Sequence, residues 1–239
     1  MTLKSKDSNA AIGLFIAIGL TVLGYFILTS VKYYKSRDRV VNVKGLAEKE
    51  VKANIAIWPI TYKQVHNNDL NLLYEEMEKK QLMVKDFLIN SGFDADEIST
   101  GQFVAKDRAA ENYSNPNLRF RYVLKNTITV YSNKVDLVMK IMNKIGDLGK
   151  KGVAIEPQNW DNRTEFLFTG LNEIKPEMVE EATGKAREVA LKFAADSDSK
   201  LGKIKSAYQG QFSIFDRDSN TPHIKKVRVV TTMEYYLVD

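Results

Sequence analysis

Residues 51–65, VKANIAIWPITYKQV, are followed after HNND by residues 70–90, LNLLYEEMEKKQLMVKDFLIN, and this pair of segments decides how the chain folds. The first alternates apolar and polar positions, with Val51, Ala53, Ile55 and Ile57 on one face, as a half-buried strand does. In the second the period lengthens. Leu70, Leu73, Met77, Val84 and Leu88 fall near one helical stripe, interrupted by Gln81, and Asn90-Ser91-Gly92 ends it. Upstream, residues 39–44 alternate toward Gly45, so two strands joined through residues 46–49 precede the helix, and Pro59 is the place for a bulge in the second.

Working outward, the same order recurs. Residues 98–105 and 118–131 read as strands around a charged, Asn-rich stretch at 106–117 that contains Pro116, an extended hairpin loop or arm. Asn133 reads as the cap of a helix with Val135, Val138, Met139, Met142 and Ile145 on its apolar face, ending before Gly146 and Gly149. Residues 153–160 and 165–171 read as a strand pair turning at Asp161-Asn162. Residues 175–195 predict the longest helix outside the apolar N-terminal run. Pro176 lies in its first turn, and Met178, Ala182, Ala186, Val189, Ala190 and Phe193 form its packing side. Residues 204–215 and 224–238 close the chain as strands. Strands arrive in pairs between helices, which argues against a doubly wound parallel sheet. The expected class is α+β, an antiparallel sheet packed with helices, as two similar layers or one composite sheet.

Ahead of this part, residues 10–31 carry no charge: AAIGLFIAIGLTVLGYFILTSV. As a helix that run is about 33 Å long, enough to cross a hydrocarbon core of about 30 Å. Its exit, LTSVKYY, is a poor cleavage signal, so it reads as an uncleaved anchor rather than a removed signal peptide. Tyr33 and Tyr34 stand where an interfacial aromatic belt belongs. The expected organisation is a short tail at 1–9, a transmembrane anchor or signal-anchor at 10–31, a juxtamembrane linker at 32–38 and the α+β domain at 39–239. Lys4 and Lys6 precede the span while Lys32, Lys35, Arg37 and Arg39 follow it, so a plain count puts the domain in the cytoplasm.

The composition excludes several classes. In 239 residues, 44% are apolar, 27% are charged, and Gly and Pro occupy only 18 positions, which rules out collagen-like and wholly disordered chains. The net charge of +5 is too even to imply nucleic acid. Having no cysteine, the chain has no disulfide, iron–sulfur cluster, thiolate zinc site or cysteine nucleophile.

The stretch GLNEIKPEM (170–178), with Glu181-Ala182-Thr183, Lys185-Ala186-Arg187, FAADSDSKLG (193–202), QGQFSI (209–214) and VRVVTT (227–232), resembles the SIMPL-domain family, DUF541, of bacterial envelope proteins. Val43-Lys44-Gly45-Leu46-Ala47 and the strand through Trp58 are similar to its opening, so the likeness covers roughly residues 38–238. Asp198 departs from it, standing where family members often have Gly. The resemblance implies an SIMPL-like α+β domain in the periplasm or extracytoplasmic space, single-pass anchoring in the bacterial inner membrane, a stress-related role in some members and large oligomers in others. It implies no reaction and carries no catalytic residue, and it opposes the basic-residue count on orientation.

Individual residues point to no chemistry of their own. Asp196, Asp198 and Lys200 lack the ligand spacing of a calcium loop and read as a helix cap. His66 and His223 have no third ligand for zinc, and no G-x-S-x-G elbow accompanies them. Gly146 to Gly152 lacks phosphate-loop spacing, and the acidic groups Glu75-Glu76, Asp94/Asp96/Glu97 and Glu180-Glu181 read as solvated faces. Catalytic, cofactor and metal residues are therefore expected to be none. Lys200, Lys203, Lys205, Lys225, Lys226 and Arg228 are candidates for contact with an anionic surface. The expected role is assembly or scaffolding in the envelope as a homo-oligomer, with a hydrolase and a binding module for peptidoglycan or anionic lipid headgroups as alternatives. The membrane and other envelope components are the expected partners, and nucleic acid is not.

Overall fold

The computed structural model describes residues 4–36, 39–67, 69–110 and 119–238, and within the first helix the side chains of residues 12–34. Arg37, Asn68, the tripeptide Asn112-Tyr113-Ser114, Pro116 and Leu118 lie outside the described residues.

The apolar run forms one helix, α1 (Lys4–Ser36), in which Ile12–Tyr34 is long and apolar enough to cross a membrane. The hydroxyls of Thr21 and Thr29 donate to the carbonyls of Ala17 and Tyr25 at 2.8 and 2.5 Å, so both are satisfied within the helix, as hydrocarbon requires.

The chain divides into two units, one of Met1–Glu48, Lys175–Ser213 and Arg228–Asp239, the other of Lys49–Ile174 and Ile214–Val227. Two sheets and helices outside strand-helix alternation make the fold α+β.

In the second unit, β2 (Ile55–His66) pairs antiparallel with β5 (Tyr122–Ser132) without a break from Ala56↔Ser132 to His66↔Tyr122. Flanking strands β3 (Ile98–Thr100) and β4 (Val104–Asp107) both lie on β5, and β6 (Glu165–Leu167) lies on β2. Ala56, Trp58, Ile60 and Tyr62 share the buried face of β2. They pack with Leu73, Met77, Val84 and Leu88 of α2 (Leu70–Asn90) and Val135, Val138 and Ile141 of α3 (Val135–Met142). Leu148 of the short α4 (Gly146–Lys150) completes this core. One polar pair sits inside it. Tyr62 Oη donates to Asn126 Oδ1 at 2.9 Å, and Asn126 Nδ2 donates to the Gly101 carbonyl at 2.8 Å, where β3 gives way to β4. Burial raises the Tyr62 phenol well above its ordinary range, keeping it a donor.

The other sheet has β9 (Ile224–Val238) as its central strand, with β1 (Val40–Lys52) and β7 (Lys200–Gln209) as neighbours and β8 (Ser213–Asp216) also on β9; β7, β1 up to Glu48 and β9 from Arg228 belong to the first unit. The helix α5 (Leu171–Asp196) buries Met178, Ala182, Ala186, Ala190 and Ala194, four residues apart. Val43, Ala186, Ala190, Met233 and Tyr235 form the core, with Val41 and Leu201 against it. Gly45 is the point of closest approach: a Cβ there would stand 1.8 Å from the Ala182 carbonyl oxygen and 2.6 Å from the Ala186 nitrogen.

Several boundaries differ from the sequence reading. β1 does not turn at 46–49 but runs through Gly45 to Lys52, because Glu48 and Glu50 continue its outward face and the turn falls at Ala53-Asn54. The buried face of β2 is therefore the even-numbered one, opposite to Ile55 and Ile57. Pro59 makes no bulge; it sits just past the last residue pairing with β6, where that edge of β2 is open. Residues 153–160 form no strand beyond a single bridge, Tyr62↔Ile155. Lys134, not Asn133, caps α3, and its backbone N–H donates to Ser132 Oγ at 3.0 Å. Val189 and Phe193 face solvent, since the stripe at four-residue spacing is made of alanines.

Two substitutions test these cores in the full-length protein by denaturant midpoint. Gly45→Ala is expected to cost about 3 kcal/mol or more, since the new methyl meets helix backbone that cannot yield like a side chain. Tyr62→Phe leaves the Asn126 acceptor buried and unpaired and is expected to cost about 1–3 kcal/mol.

Candidate functional site at the basic edge

The surface begins where α5 ends. The Ser199 N–H donates to the Ala194 carbonyl at 2.9 Å and the Asp198 N–H to the Ala195 carbonyl at 3.1 Å, the paired bonds of a Schellman cap. Asp198 occupies its left-handed position with φ of 52°. The segment terminates a helix and launches β7.

Next, β7 pairs with β9 from Lys200↔Val238 to Gln209↔Thr231, with register shifts on both sides of Ile204. Being at the sheet edge, it is exposed from Lys203 to Gln209. The Arg39 carbonyl accepts from the Leu237 N–H at 2.8 Å, and Arg39 Nη2 donates to Ser199 Oγ at 2.8 Å. The start of β1, the end of β9 and the start of β7 therefore meet. Beside them is a cavity of about 580 Å³ lined by Tyr33, Gly202, Lys203, Ile204, Tyr236, Leu237 and Val238. Tyr34 is the more exposed of the two tyrosines at the helix exit.

The six candidate cations have different fates. Lys205 Nζ lies 3.3 Å from Glu234 Oε1 and 5.9 Å from the centre of the Tyr236 ring. Arg228 Nε lies 3.8 Å from Glu48 Oε1. Lys225 is only 8% exposed and is ion-paired with Asp216, and Lys226 is engaged as well. Among the described residues, Lys200 and Lys203 are exposed and make no ion pair.

Elsewhere the polar groups serve local structure. Lys134 Nζ lies 2.6 Å from Asp94 Oδ2 and 2.9 Å from Glu97 Oε2, while Ser132 Oγ donates to Glu97 Oε1 at 2.6 Å. Burial alone would raise the Glu97 carboxyl, but the bonds from Ser132, the Asp94 backbone and Lys134 hold it below its usual range. Asp218 is held at about 2, first by the Thr221 hydroxyl and then by Arg217, in the loop after β8. His66 Nδ1 accepts from the Asp69 N–H at 3.1 Å. His223 meets Phe166 edge-on with ring centres 6.0 Å apart, and its Nδ1 is buried without a hydrogen-bond partner. Among the described residues, no three His, Asp or Glu side chains converge as a metal site. Gly146–Lys150 is helical, with Lys150 Nζ 2.7 Å from Asp147 Oδ1. Asn162 is buried and donates to the Pro157 carbonyl, and Trp160 is 82% exposed under the Arg163 guanidinium.

Beyond the lysines, residues 206–215, SAYQGQFSIF, contain no charge. Tyr208 is 71% exposed, and Ile214 and Phe215 are exposed too. That run was legible as ten uncharged positions in a chain that is 27% charged. Its exposure was not, because aromatic and β-branched residues in a strand read as core.

The family model SIMPL, described as a protein of unknown function (DUF541), matches residues 41–233. No curated protein matches.

The cap at Asp198 yields a signed prediction. Asp198→Gly relieves the left-handed backbone at this position and is expected to raise the denaturant midpoint, by up to about 1 kcal/mol. Asp198→Val is expected to lower it, by about 1–2 kcal/mol, because a β-branched residue resists positive φ more strongly.

Proposed function

The chain belongs to the SIMPL family, and from that premise we propose that it is a membrane-anchored protein whose α+β part stands outside the cytoplasm and works by assembling with further copies of itself. The observation that carries this reading is the uncharged, exposed stretch that starts in the second half of β7. From Ser206 to Gln209 the strand keeps regular register with β9, and its other edge has no partner strand among the described residues. A regular, uncharged edge is a template for strand addition by another chain. Anchoring by α1 confines copies to two dimensions and raises their local concentration. The address outside the cytoplasm follows the family resemblance. The absence of cysteine is compatible with an oxidising compartment.

Light scattering of the detergent-solubilised full-length protein, beside residues 32–239, tests the proposal. A discrete oligomer is expected in both, which places assembly outside the membrane helix. Tyr208→Lys, which puts a charge in the middle of the uncharged edge, is expected to shift both samples toward monomer. Monomers of the unsubstituted protein in both samples would sink the reading.

A further inference from the structure

The basic end of β7 is tied to the membrane by chain length. Three residue steps separate the end of α1 at Ser36 from Arg39, a reach of at most about 11 Å. Arg39 is in turn bonded to Leu237 and Ser199, so the ends of β9 and β7 can move no farther from the bilayer surface than this tether allows. The cavity beside them has Tyr33 of α1 in its wall, a residue type enriched where a membrane helix meets water.

Its lining is chemically divided. Ile204, Leu237, Val238 and the rings of Tyr33 and Tyr236 supply apolar surface, and Lys203 supplies an ammonium with no counter-ion among the described residues. In a regular strand, consecutive side chains point to opposite faces. Here register shifts flank Ile204 in the ladder with β9, and Gly202, Lys203 and Ile204 all line the cavity. Lys200 adds a second cation without an ion pair on the same strand. Lys205, already occupied by Glu234 and Tyr236, is left out.

We propose that this cavity seats one anionic phospholipid of the membrane that α1 crosses, with its phosphate on Lys203, its glycerol and upper acyl carbons against Ile204, Leu237 and Tyr33, and Lys200, opposite the lining residue Val238 on β9, as a second cation beside it. A soluble anion would have no use for the apolar walls, and an apolar peptide none for the two cations. The tether holds the cavity at the bilayer surface, where lipid is always at hand. The inference rests on α1 being a retained anchor, as proposed above, and is independent of assembly through residues 206–215.

The test uses the full-length protein reconstituted into nanodiscs of phosphatidylcholine with 30% phosphatidylglycerol (roughly the anionic share that gives such a surface its attraction for basic residues). Native mass spectrometry then reads the lipid that stays bound on release. One retained phosphatidylglycerol per chain is expected, with phosphatidylcholine not retained. Lys200→Ala/Lys203→Ala is expected to lower retention by about tenfold or more, and Lys203→Arg to preserve it. The circular dichroism spectrum of each variant, expected to match that of the unsubstituted protein, separates lost binding from lost fold. Equal retention of both lipids, or equal retention by the double variant, overturns the site and leaves the anchor standing. An intact mass lacking the first helix overturns the anchor and the lipid site together.

Discussion

The first unit depends on one close approach, the backbone of β1 at Gly45 against the α5 backbone at Ala182 and Ala186. A helix held that near a strand can place only small side chains on its contact face. The buried stripe of α5 is accordingly alanine at 182, 186, 190 and 194, with the larger Met178 at one end. The larger side chains of this core come from the sheet, where Met233 and Tyr235 of β9 and Val43 of β1 are buried with Ala186 and Ala190. Once α5 is fixed, its C-terminal cap leads into β7, and the end of β9, which pairs with the start of β7, bonds to Arg39 just ahead of β1. The basic edge and its cavity are thus positioned by a contact made elsewhere on the sheet.

The second unit solves a different problem, since a long antiparallel pair has many possible registers. Eleven consecutive pairs join β2 to β5, and a slip of one residue would turn Trp58, Ile60 and Tyr62 out of the core. Tyr62 and Asn126, directly opposite each other, bond inside that core, and Asn126 also satisfies the carbonyl freed where β3 and β4 change register on β5. A slip of two residues would keep Tyr62 on the buried face but part it from Asn126. Two polar residues thereby specify an alignment that apolar burial, which is non-directional, specifies poorly.

Periodicity made the long elements legible. Of the stripe Leu70, Leu73, Met77, Val84 and Leu88, the last four are buried while Leu70, the first residue of the helix, is exposed, and the uncharged N-terminal run is a single helix. Failures came where one residue plays two parts. Gly45 reads as a stop because glycine punctuates chains, yet it lies inside a strand to admit a helix backbone. Val189 and Phe193 read as core because they are apolar, but small alanines had already claimed that face. Residues 153–160 have strand-like composition without a strand on which to pair over their length. For the candidate site, the lysines could be counted from the sequence, whereas their counter-ions could not. Glu48, Asp216 and Glu234 lie far from their partners, or on another strand, and only folding brings them together.

Those counter-ions divide β7 into two working halves. From Lys200 to Lys205 the strand carries three lysines and two register shifts, features that resist pairing with a further strand. From Ser206 onward it is regular and uncharged. A basic, irregular half resists strand addition at its edge, which suits the membrane contact proposed for it. The uncharged half, farther along the strand from the Arg39 contact, is the part to which the proposed assembly is assigned. The two proposed contacts thus fall on different halves of one edge strand, and the ion pair of Lys205 with Glu234 stands where the irregular half gives way to the regular one.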